Sequence, residues 1–268
     1  MPELPEVETT VRGLAAVLEG RRLTRVEPLR PDLRRPMPPD LGQRLTGARV
    51  IGLGRRAKYG LIGTDRGDTL IFHLGMSGHW RIDPQEIGAH DHLLMETEEG
   101  RRLSLNDPRR FGSLDLVPSD GLGEWPHFKA LGPEPFELDG RWFRTVFNGR
   151  TAPVKALLLD QRIVAGLGNI YACEALYRAG IHPRRPAGSL SLARLDRLAA
   201  AVPGVLAEAI AAGGSSLRDF IGPDGTLGYF SSSFAVYGRQ GAKCSCGATI
   251  RRIVQGGRST FYCPRCQR

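Results

Sequence analysis

The amino-acid sequence predicts an α+β protein with two parts, and three patterns along its 268 residues support this prediction. The first part has one helical segment followed by alternating apolar residues, which are typical of short strands. The second part, from about residue 150, has helical periodicity with glycine and proline at the segment ends. Four of the five cysteines fall within the last 25 residues, which indicates a small metal-bound module.

The amino-terminal segment 5–18 is the clearest predicted helix. Its apolar stripe consists of Val7, Val11, Leu14, Ala15 and Leu18. Pro5 is suited to the first turn of a helix, and Gly20 is suited to its end. From there to about residue 117, alternating apolar residues such as those in 70–74 predict a sandwich of short strands.

Three helices are predicted in the second part, over residues 153–161, 169–179 and 191–212, and Pro203 is expected to kink the last one. The preceding segment 120–150 is rich in glycine, proline and tryptophan, and we expect it to connect the two parts. The predicted domain bounds are 1–130 for the helix and sandwich, 131–150 for a linker, 151–233 for the helical domain with a long loop, and 234–268 for a zinc finger.

The chain is basic, with a formal net charge of +9, and a polyanion is therefore the leading partner. Charge alone leaves open a solvated basic surface that binds no nucleic acid. No apolar run approaches the ~20 residues of a membrane span, and acidic residues rather than a signal-peptide pattern follow Met1. We expect a cytoplasmic protein that does not bind membranes.

The cysteine module has the ligand set of one structural Zn²⁺, a C-x-C pair and a C-x-x-C pair separated by sixteen residues. The four ligands are Cys244, Cys246, Cys263 and Cys266. Between the pairs, residues 250–255 and 259–262 are predicted to be two strands joined at a glycine pair. Arg258 then lies near the hairpin tip, where it either meets a phosphate or is an exposed turn arginine. Cys173 stands apart on a predicted helix and is expected to be buried as a small apolar residue.

A series of short motifs runs in order from one end of the chain to the other. The motifs are M-P-E-L-P-E-V-E-T at 1–9, R-R-A-K-Y-G at 55–60, H-L-G-M-S-G at 73–78, N-D-P-R-R-F-G at 106–112, L-G-P-E-P at 131–135, G-L-G-N-I-Y-A at 166–172, V-Y-G-R at 236–239 and the cysteine module. Together they resemble the bacterial formamidopyrimidine-DNA glycosylases over the whole length of the chain.

The resemblance implies a base-excision repair enzyme that removes oxidised purines, such as 8-oxoguanine and formamidopyrimidines, from duplex DNA and then cuts the strand by β,δ-elimination. It implies an N-terminal catalytic helix with a β-sandwich, and a C-terminal helix-two-turn-helix bundle with a zinc-finger β-hairpin. Damaged double-stranded DNA is expected in a basic cleft between these parts. The expected form is a nucleoid-associated monomer.

Four catalytic residues are implied by the same resemblance. Pro2, exposed by removal of Met1, offers a secondary amine that attacks the sugar, because an α-amine with a pKa of about 8 is partly unprotonated at neutral pH. Glu3 is the implied general acid. Lys58 and Arg258 are implied to hold the phosphate near the lesion and to assist β-elimination and δ-elimination respectively.

A base inside a duplex cannot reach Pro2, so the lesion must be extruded and the gap must be filled. Met76, Arg109 and Phe111 resemble the family's gap-filling residues, with Arg109 bonding to the unpaired cytosine. As ordinary strand residues, Met76 and Phe111 would instead belong to the core.

Other residues match family positions that contact DNA or support the site. These residues are Glu6, His73, His90, Arg150, Lys155 and Asn169. His92 is an alternative to His90, and Asn169 is also a candidate helix N-cap. The loop 215–229 is implied to close over the damaged base.

Two alternatives stay open at this point. The first is an endonuclease VIII-like enzyme for oxidised pyrimidines, against which the P-E-L-P-E start and the intact D-P-R-R-F-G motif argue. The second is a non-catalytic, zinc-dependent protein that binds damaged DNA. Pro2, Glu3 and Lys58 distinguish an enzyme from such a protein, because binding alone needs no terminal amine beside an acid.

Overall fold

The computed structural model describes residues 1–215 and 222–268. Its contacts divide the chain into two compact units. The first unit is Met1–Lys129 with Ile210–Ser231, and the second is Ala130–Ala209 with Ser232–Arg268. Helices and sheets are both present, as predicted for an α+β protein, whereas the four domain bounds given above stay a prediction.

Helix α1 (Leu4–Leu18) opens the first unit within one residue of its predicted start. Glu3 is its N-cap, and Pro5 occupies the first turn, where a missing N–H leaves no hydrogen bond unmade. The stripe expected from the sequence is buried, for example at Val7, which is 1% exposed. The helix is therefore amphipathic in the way its periodicity predicts.

Two four-stranded antiparallel sheets follow, which confirms the predicted sandwich. The first sheet, in the order β1-β6-β7-β5, comprises β1 (Leu23–Pro28), β5 (His79–Ile82), β6 (Asp91–Thr97) and β7 (Arg102–Asn106). The second, in the order β2-β3-β4-β8, comprises β2 (Val50–Arg56), β3 (Tyr59–Thr64), β4 (Asp68–His73) and β8 (Ser113–Pro118). A short helix α2 (Leu41–Leu45) lies between β1 and β2.

Both sheets and α1 bury their apolar faces in one core. Phe72 of β4 and Trp80 of β5 belong to different sheets, and their rings meet edge to face with centroids 5.6 Å apart. Leu14 of α1 is fully buried in the same cluster. This core fixes the strand ends and turns that carry the candidate site residues of the first unit.

The segment 120–150 departs from the expectation of a simple connection. It contains α3 (Pro126–Lys129) and the two-turn helix α4 (Gly140–Phe147). Asp139 caps α4 by accepting a hydrogen bond from the amide of Trp142 at 2.7 Å. Phe143 and Phe147 are buried on its inner face, so a helix forms because its apolar residues recur at i and i+4.

The later helices and the hairpin strands lie where the sequence predicts them, but some differ from the prediction in length. They are α5 (Val154–Leu158), α6 (Asn169–Arg178), α7 (Leu192–Ala211), β9 (Arg251–Gln255) and β10 (Arg258–Tyr262). The helix expected over 153–161 stops early, at Leu158. Helix α7 continues through Pro203. Within the described ranges, no helix has the length and apolar character needed to cross a membrane.

We expect Gly60→Ala to destabilise the sandwich, because a Cβ at this position of β3 would lie 2.0 Å from Cζ of Phe72. Overpacking of this kind lowers the free energy of unfolding by about 1–3 kcal/mol. Gly54→Ala on the neighbouring strand is the matched control, since its Cβ would meet only Leu61 Cδ1 at 4.0 Å. Urea unfolding of both variants measures the difference, and equal stabilities would contradict the packing argument.

Candidate functional site

The amino-terminal end of α1 is held by the buried carboxylate of Glu6. Glu3 and Glu6 are each 2% exposed. The amide of Glu3 donates to Oε2 of Glu6 at 2.8 Å, and the amide of Ser215 donates to Oε1 at 2.8 Å. Glu6 thereby fixes the peptide that follows Pro2 and connects it to the start of the loop at Ser215.

Lys58 lies in the turn between β2 and β3 and is only 8% exposed. Arg56 pairs with Tyr59, so Ala57 and Lys58 alone form the turn, and Ala57 has a φ of 53°. A non-glycine residue in this left-handed region costs about 1–2 kcal/mol and needs support from its surroundings. Arg55 supplies support by donating to the carbonyl of Ala57 at 2.9 Å.

The same arginine connects the Lys58 turn to the first helix. Nε of Arg55 lies 3.0 Å from Oε2 of Glu8 on α1, and both side chains are largely buried. A partly buried, charge-assisted contact of this kind is stronger than a surface ion pair. Arg55 therefore ties helix α1 to the Lys58 turn.

His73, at the end of β4, is held as a neutral ring. Its Nδ1 accepts a hydrogen bond from the amide of Gly75 at 3.0 Å, which leaves the N–H on Nε2. Tyr59 packs against the ring with centroids 4.9 Å apart. Burial, together with the positive charge of Lys58, lowers the pKa of His73 to about 4. The ring can donate to an anion without carrying a charge itself.

The three residues expected to fill an emptied base site lie on two exposed turns of the first unit. Met76 is 37% exposed and Phe111 is 42% exposed, so neither belongs to the core. The guanidinium carbon of Arg109 lies 4.8 Å from the centroid of the Phe111 ring. A cation over an aromatic face is weakly attractive at the surface, and it orients Arg109 beside Phe111.

The two histidines after β5 occupy different environments. His90 is exposed. His92 is 2% exposed, and its Nε2 lies 2.9 Å from the backbone oxygen of Asp107. Only His90 of this pair is accessible to an external ligand.

Within the described residues, backbone hydrogen bonds join the two ends of the long loop 215–229. The amide of Tyr229 donates to the oxygen of Ala212 at 3.0 Å, and the amide of Phe230 donates to that of Gly214 at 3.0 Å. Gly228 cannot carry a side chain, because a Cβ would lie 2.4 Å from the oxygen of Gly214. The part of the predicted lesion loop over 216–221 lies outside the described residues.

In the second unit, the hairpin is anchored directly behind Arg258. Nζ of Lys155 lies 2.7 Å from Oγ1 of Thr260 and 2.5 Å from Oδ1 of Asn169. Nδ2 of Asn169 donates to the oxygen of Ser259 at 2.9 Å. Asn169 is not the N-cap of α6, although the sequence offered it as a candidate. Gly168 is the N-cap, and Asn169 is the first residue of α6.

Arg258 begins β10 and pairs with Gln255 across the turn. Its side chain is exposed and lines a cavity of about 650 Å³ together with Lys155 and Arg184. Lys155 itself is 1% exposed, which makes it a buried anchor of the hairpin. Arg150, in the connection between α4 and α5, is exposed as well. The cavity presents positive charge of the kind that suits a phosphate.

The four terminal cysteines form one cluster, in which all Sγ atoms lie within 4.8 Å of one another. Sγ of Cys244 lies 3.8 Å from that of Cys266, and Sγ of Cys246 lies 3.5 Å from that of Cys263. A tetrahedral Zn²⁺ with Zn–S bonds of ~2.3 Å separates its sulfurs by about 3.8 Å. The shortened C-x-C pair therefore fits a single ion, and the hydroxyl of Tyr177 lies 3.3 Å from Sγ of Cys244 as an outer contact.

Comparisons with known proteins cover the whole chain. Family models match residues 1–114 to the formamidopyrimidine-DNA glycosylase N-terminal domain, 131–221 to its H2TH domain, and 245–268 to the zinc finger found in FPG and IleRS. Formamidopyrimidine-DNA glycosylases of Rhizorhabdus wittichii and Novosphingobium aromaticivorans are each 66% identical over the whole of both chains. The chain belongs to the formamidopyrimidine-DNA glycosylase family.

Solved structures of this family share the fold. A Lactococcus lactis FPG variant in complex with a Fapy-dG containing DNA has a TM-score of 0.92 and 36% identity, with both chains fully covered. The Lactococcus lactis enzyme with an abasic site containing DNA has a TM-score of 0.91 and 36% identity, again with full coverage. The zinc finger is thus a family feature that this chain's four cysteines are arranged to form.

Three charged residues that support the site, two of them buried and one partly buried, were not singled out from the sequence. They are Arg55, Asp107 and Glu174. Glu174 is 1% exposed, and it accepts the amides of 235, 236 and 237 at 2.8–3.0 Å where the chain enters the zinc finger. In the sequence, the feature that could have pointed to Glu174 is a lone carboxylate among mostly apolar residues on α6. For Asp107 it is an aspartate directly before a proline.

We expect the protein to lose stability as the pH falls from 6.5 towards 4. In this window the unfolded chain binds a proton at His73, whose ordinary pKa is 6.5, whereas the folded chain does not, because its pKa is about 4. His73→Gln removes this difference and flattens the pH dependence of the unfolding free energy. His90→Gln, at an exposed ring, is the control and keeps the wild-type slope. Equal slopes for all three proteins would contradict the burial of a neutral His73.

One zinc ion per chain is expected by elemental analysis of the purified protein. Cys246→Ala removes one ligand and should abolish stoichiometric zinc and increase amide exchange in β9 and β10. Cys173→Ala is the matched control, because Cys173 is buried but lies outside the four-cysteine cluster. Full zinc content in the Cys246 variant would contradict the assigned ligand set.

Proposed function

We propose that this protein excises oxidised purines, such as 8-oxoguanine and formamidopyrimidines, from duplex DNA and then cuts the strand by β,δ-elimination. We place this activity in the bacterial cytoplasm, on nucleoid DNA. The observation that carries the proposal is the buried start of α1, where Glu3 directly follows Pro2 and its amide is held by the carboxylate of Glu6. The relatives bearing the family name, at up to 66% identity, support the substrate class.

The nucleophile is Pro2 once Met1 is removed. A free α-amine has a pKa of about 8, so an unprotonated fraction is present at neutral pH and attacks C1′ of the damaged nucleotide. The C1′–N bond breaks as the new C–N bond forms. Glu3 donates the proton that the leaving base or the sugar oxygen takes up. Loss of the remaining amine proton leaves nitrogen and the ring oxygen both bonded to C1′. Cleavage of the C1′–O4′ bond, with a proton taken up by O4′, then gives the iminium form in which the enzyme and the strand are covalently joined.

The iminium makes the hydrogen on C2′ acidic, so removal of that proton expels the 3′ phosphate. A second elimination expels the 5′ phosphate. We assign Lys58 to the phosphate near the lesion and to proton transfer in the first step, and Arg258 to the second. Asn169, bonded to the backbone behind Arg258, completes the set of phosphate contacts. The zinc ion is structural: it holds the hairpin that presents Arg258.

Extrusion of the base is assigned to Met76 and Phe111, whose exposed side chains take its place in the stack. Arg109 offers guanidinium donors to the acceptors on the Watson–Crick edge of the unpaired cytosine. A lesion opposite cytosine is an oxidised guanine, so this contact favours purine lesions over oxidised pyrimidines. The loop 215–229 is assigned to the extruded base.

The backbone contacts are assigned to His73, His90 and Arg150, two of which are exposed and one of which is a neutral donor. A net charge of +9 adds an attraction that does not depend on sequence. Binding is therefore expected to weaken steeply as the salt concentration rises.

Borohydride reduction in the presence of a duplex with one 8-oxoguanine opposite cytosine should trap a covalent adduct. Because the reduced iminium joins C1′ to the terminal amine, peptide mapping should place the adduct on Pro2. Glu3→Gln should give no adduct with the intact lesion but should still give one with a preformed abasic site, where no base has to leave. Full excision by this variant would contradict the role of Glu3.

The same experiment separates the alternatives. An adduct that forms only with oxidised-pyrimidine DNA would indicate an endonuclease VIII-like specificity. Tight binding to every lesion without any adduct would indicate a non-catalytic reader of damage. An adduct on another residue would exclude Pro2 as the nucleophile while leaving the glycosylase activity intact.

A further inference from the structure

The two turns that carry the proposed gap-filling residues are joined by one buried side chain, Asp107, which is 0% exposed. Its Oδ1 accepts a hydrogen bond from the hydroxyl of Ser77 at 2.9 Å, and its Oδ2 accepts one from the amide of Gly112 at 2.8 Å. Ser77 directly follows Met76, and Gly112 directly follows Phe111. One carboxylate therefore holds the residue next to each apolar wedge.

The backbone of both turns is also closely fitted. Gly75 has a φ of 61°, and a Cβ on it would lie 2.3 Å from the carbonyl carbon of Phe111, so the two turns are in contact through their main chains. The amide of Arg110, whose φ is 55°, donates to the oxygen of Asp107 at 3.1 Å. His92 supports the same carbonyl from the buried side. Neither turn can shift without breaking these contacts.

The wedge side chains have little packing of their own. Met76 and Phe111 project with 37% and 42% of their surface exposed, so the position of each depends on the backbone beneath it. Inserting such side chains into a duplex works against base stacking, which pushes back on the turns. If the turns gave way independently, the stack would close and the base would return.

We propose that Asp107 is a positioning residue that holds the Met76 turn and the Phe111 turn at a fixed separation, so that both side chains enter DNA as one rigid wedge. The proposal rests on the gap-filling role assigned above to Met76 and Phe111. Asp107 itself touches no DNA, because it lies beneath both turns. Its two side-chain oxygens bond to both turns at once, one to Ser77 and one to Gly112.

We call the hydrogen bonds from Asp107 to the two turns the brace. A fluorescence experiment with full-length protein tests the brace without requiring catalysis. The probe is a duplex with a tetrahydrofuran abasic-site analogue and a 2-aminopurine beside it, which brightens when the neighbouring stack is opened. Ser77→Ala removes one of the two hydrogen bonds, and Asp107→Ala removes both. Asp107→Asn is the rescue variant, because its amide oxygen can accept from Gly112 and its amide nitrogen can donate to Ser77.

We expect Phe111→Ala to lose most of the fluorescence increase at saturating protein, Asp107→Ala to lose a similar part, and Ser77→Ala to lose a smaller part. Asp107→Asn should recover the wild-type signal. Single-turnover excision of 8-oxoguanine opposite cytosine should slow about tenfold in Asp107→Ala, which corresponds to about 1.4 kcal/mol. Cleavage of a preformed abasic site should slow less.

Ser104→Ala is the matched control. It removes another buried serine–aspartate bond of the same unit, that of Ser104 to Asp91 at 3.0 Å, and should leave the fluorescence unchanged. A wild-type signal in Ser77→Ala and Asp107→Ala, with loss in Phe111→Ala, would overturn the brace alone. A wild-type signal in Phe111→Ala would overturn the wedge role and the brace with it. If Asp107→Ala does not fold, the fluorescence of Ser77→Ala alone tests the brace.

Discussion

The two hydrogen bonds of the Glu6 carboxylate determine where the reactive end of the chain lies. A buried carboxylate is unfavourable unless its oxygens are satisfied, and here one oxygen accepts from the amide of Glu3 and the other from that of Ser215. The helix N-terminus adds a favourable field for the negative charge. The start of α1 thus has one low-energy position relative to the loop base. Pro2, one residue before Glu3, is placed by the same contacts.

A buried carboxylate holds irregular backbone in two further places. Asp107 accepts donors from both wedge turns, and Glu174 accepts three consecutive amides where the chain enters the zinc finger. Irregular backbone cannot satisfy its amides through a strand ladder or a helix, so a buried carboxylate takes that place. At the Met76 and Phe111 turns, the consequence is that exposed side chains project from a backbone that is held in place.

The zinc hairpin solves a different problem, because it has little apolar surface to bury. A two-stranded hairpin is marginal by itself, and its cluster consists of a few residues, chiefly Val236, Ile250 and the buried cysteines. Four thiolates around one ion replace the missing core. Lys155 and Asn169 then fix the strand just behind Arg258, so the metal and these polar contacts together set the position of the exposed guanidinium.

The sequence alone determined those helices and strands whose apolar periodicity and end signals lie within one short segment. Helices α1, α6 and α7 and the hairpin strands lie within about two residues of their predicted bounds, because side-chain spacing and end signals act over a few residues. The cysteine spacing likewise determined the ligand set for one ion. Helix α4 was missed because glycine and proline around it masked the i, i+4 pair of Phe143 and Phe147.

The tertiary structure alone decided how the charged residues are used. Nothing in the sequence near Lys58 indicates that it is buried in a turn braced by Arg55, or that His92 rather than His90 faces inward. The sequence likewise does not show that Asp107 joins two turns thirty residues apart. These outcomes depend on contacts between segments distant in the chain, and burial and hydrogen bonding at such contacts are set only when the core brings the segments together.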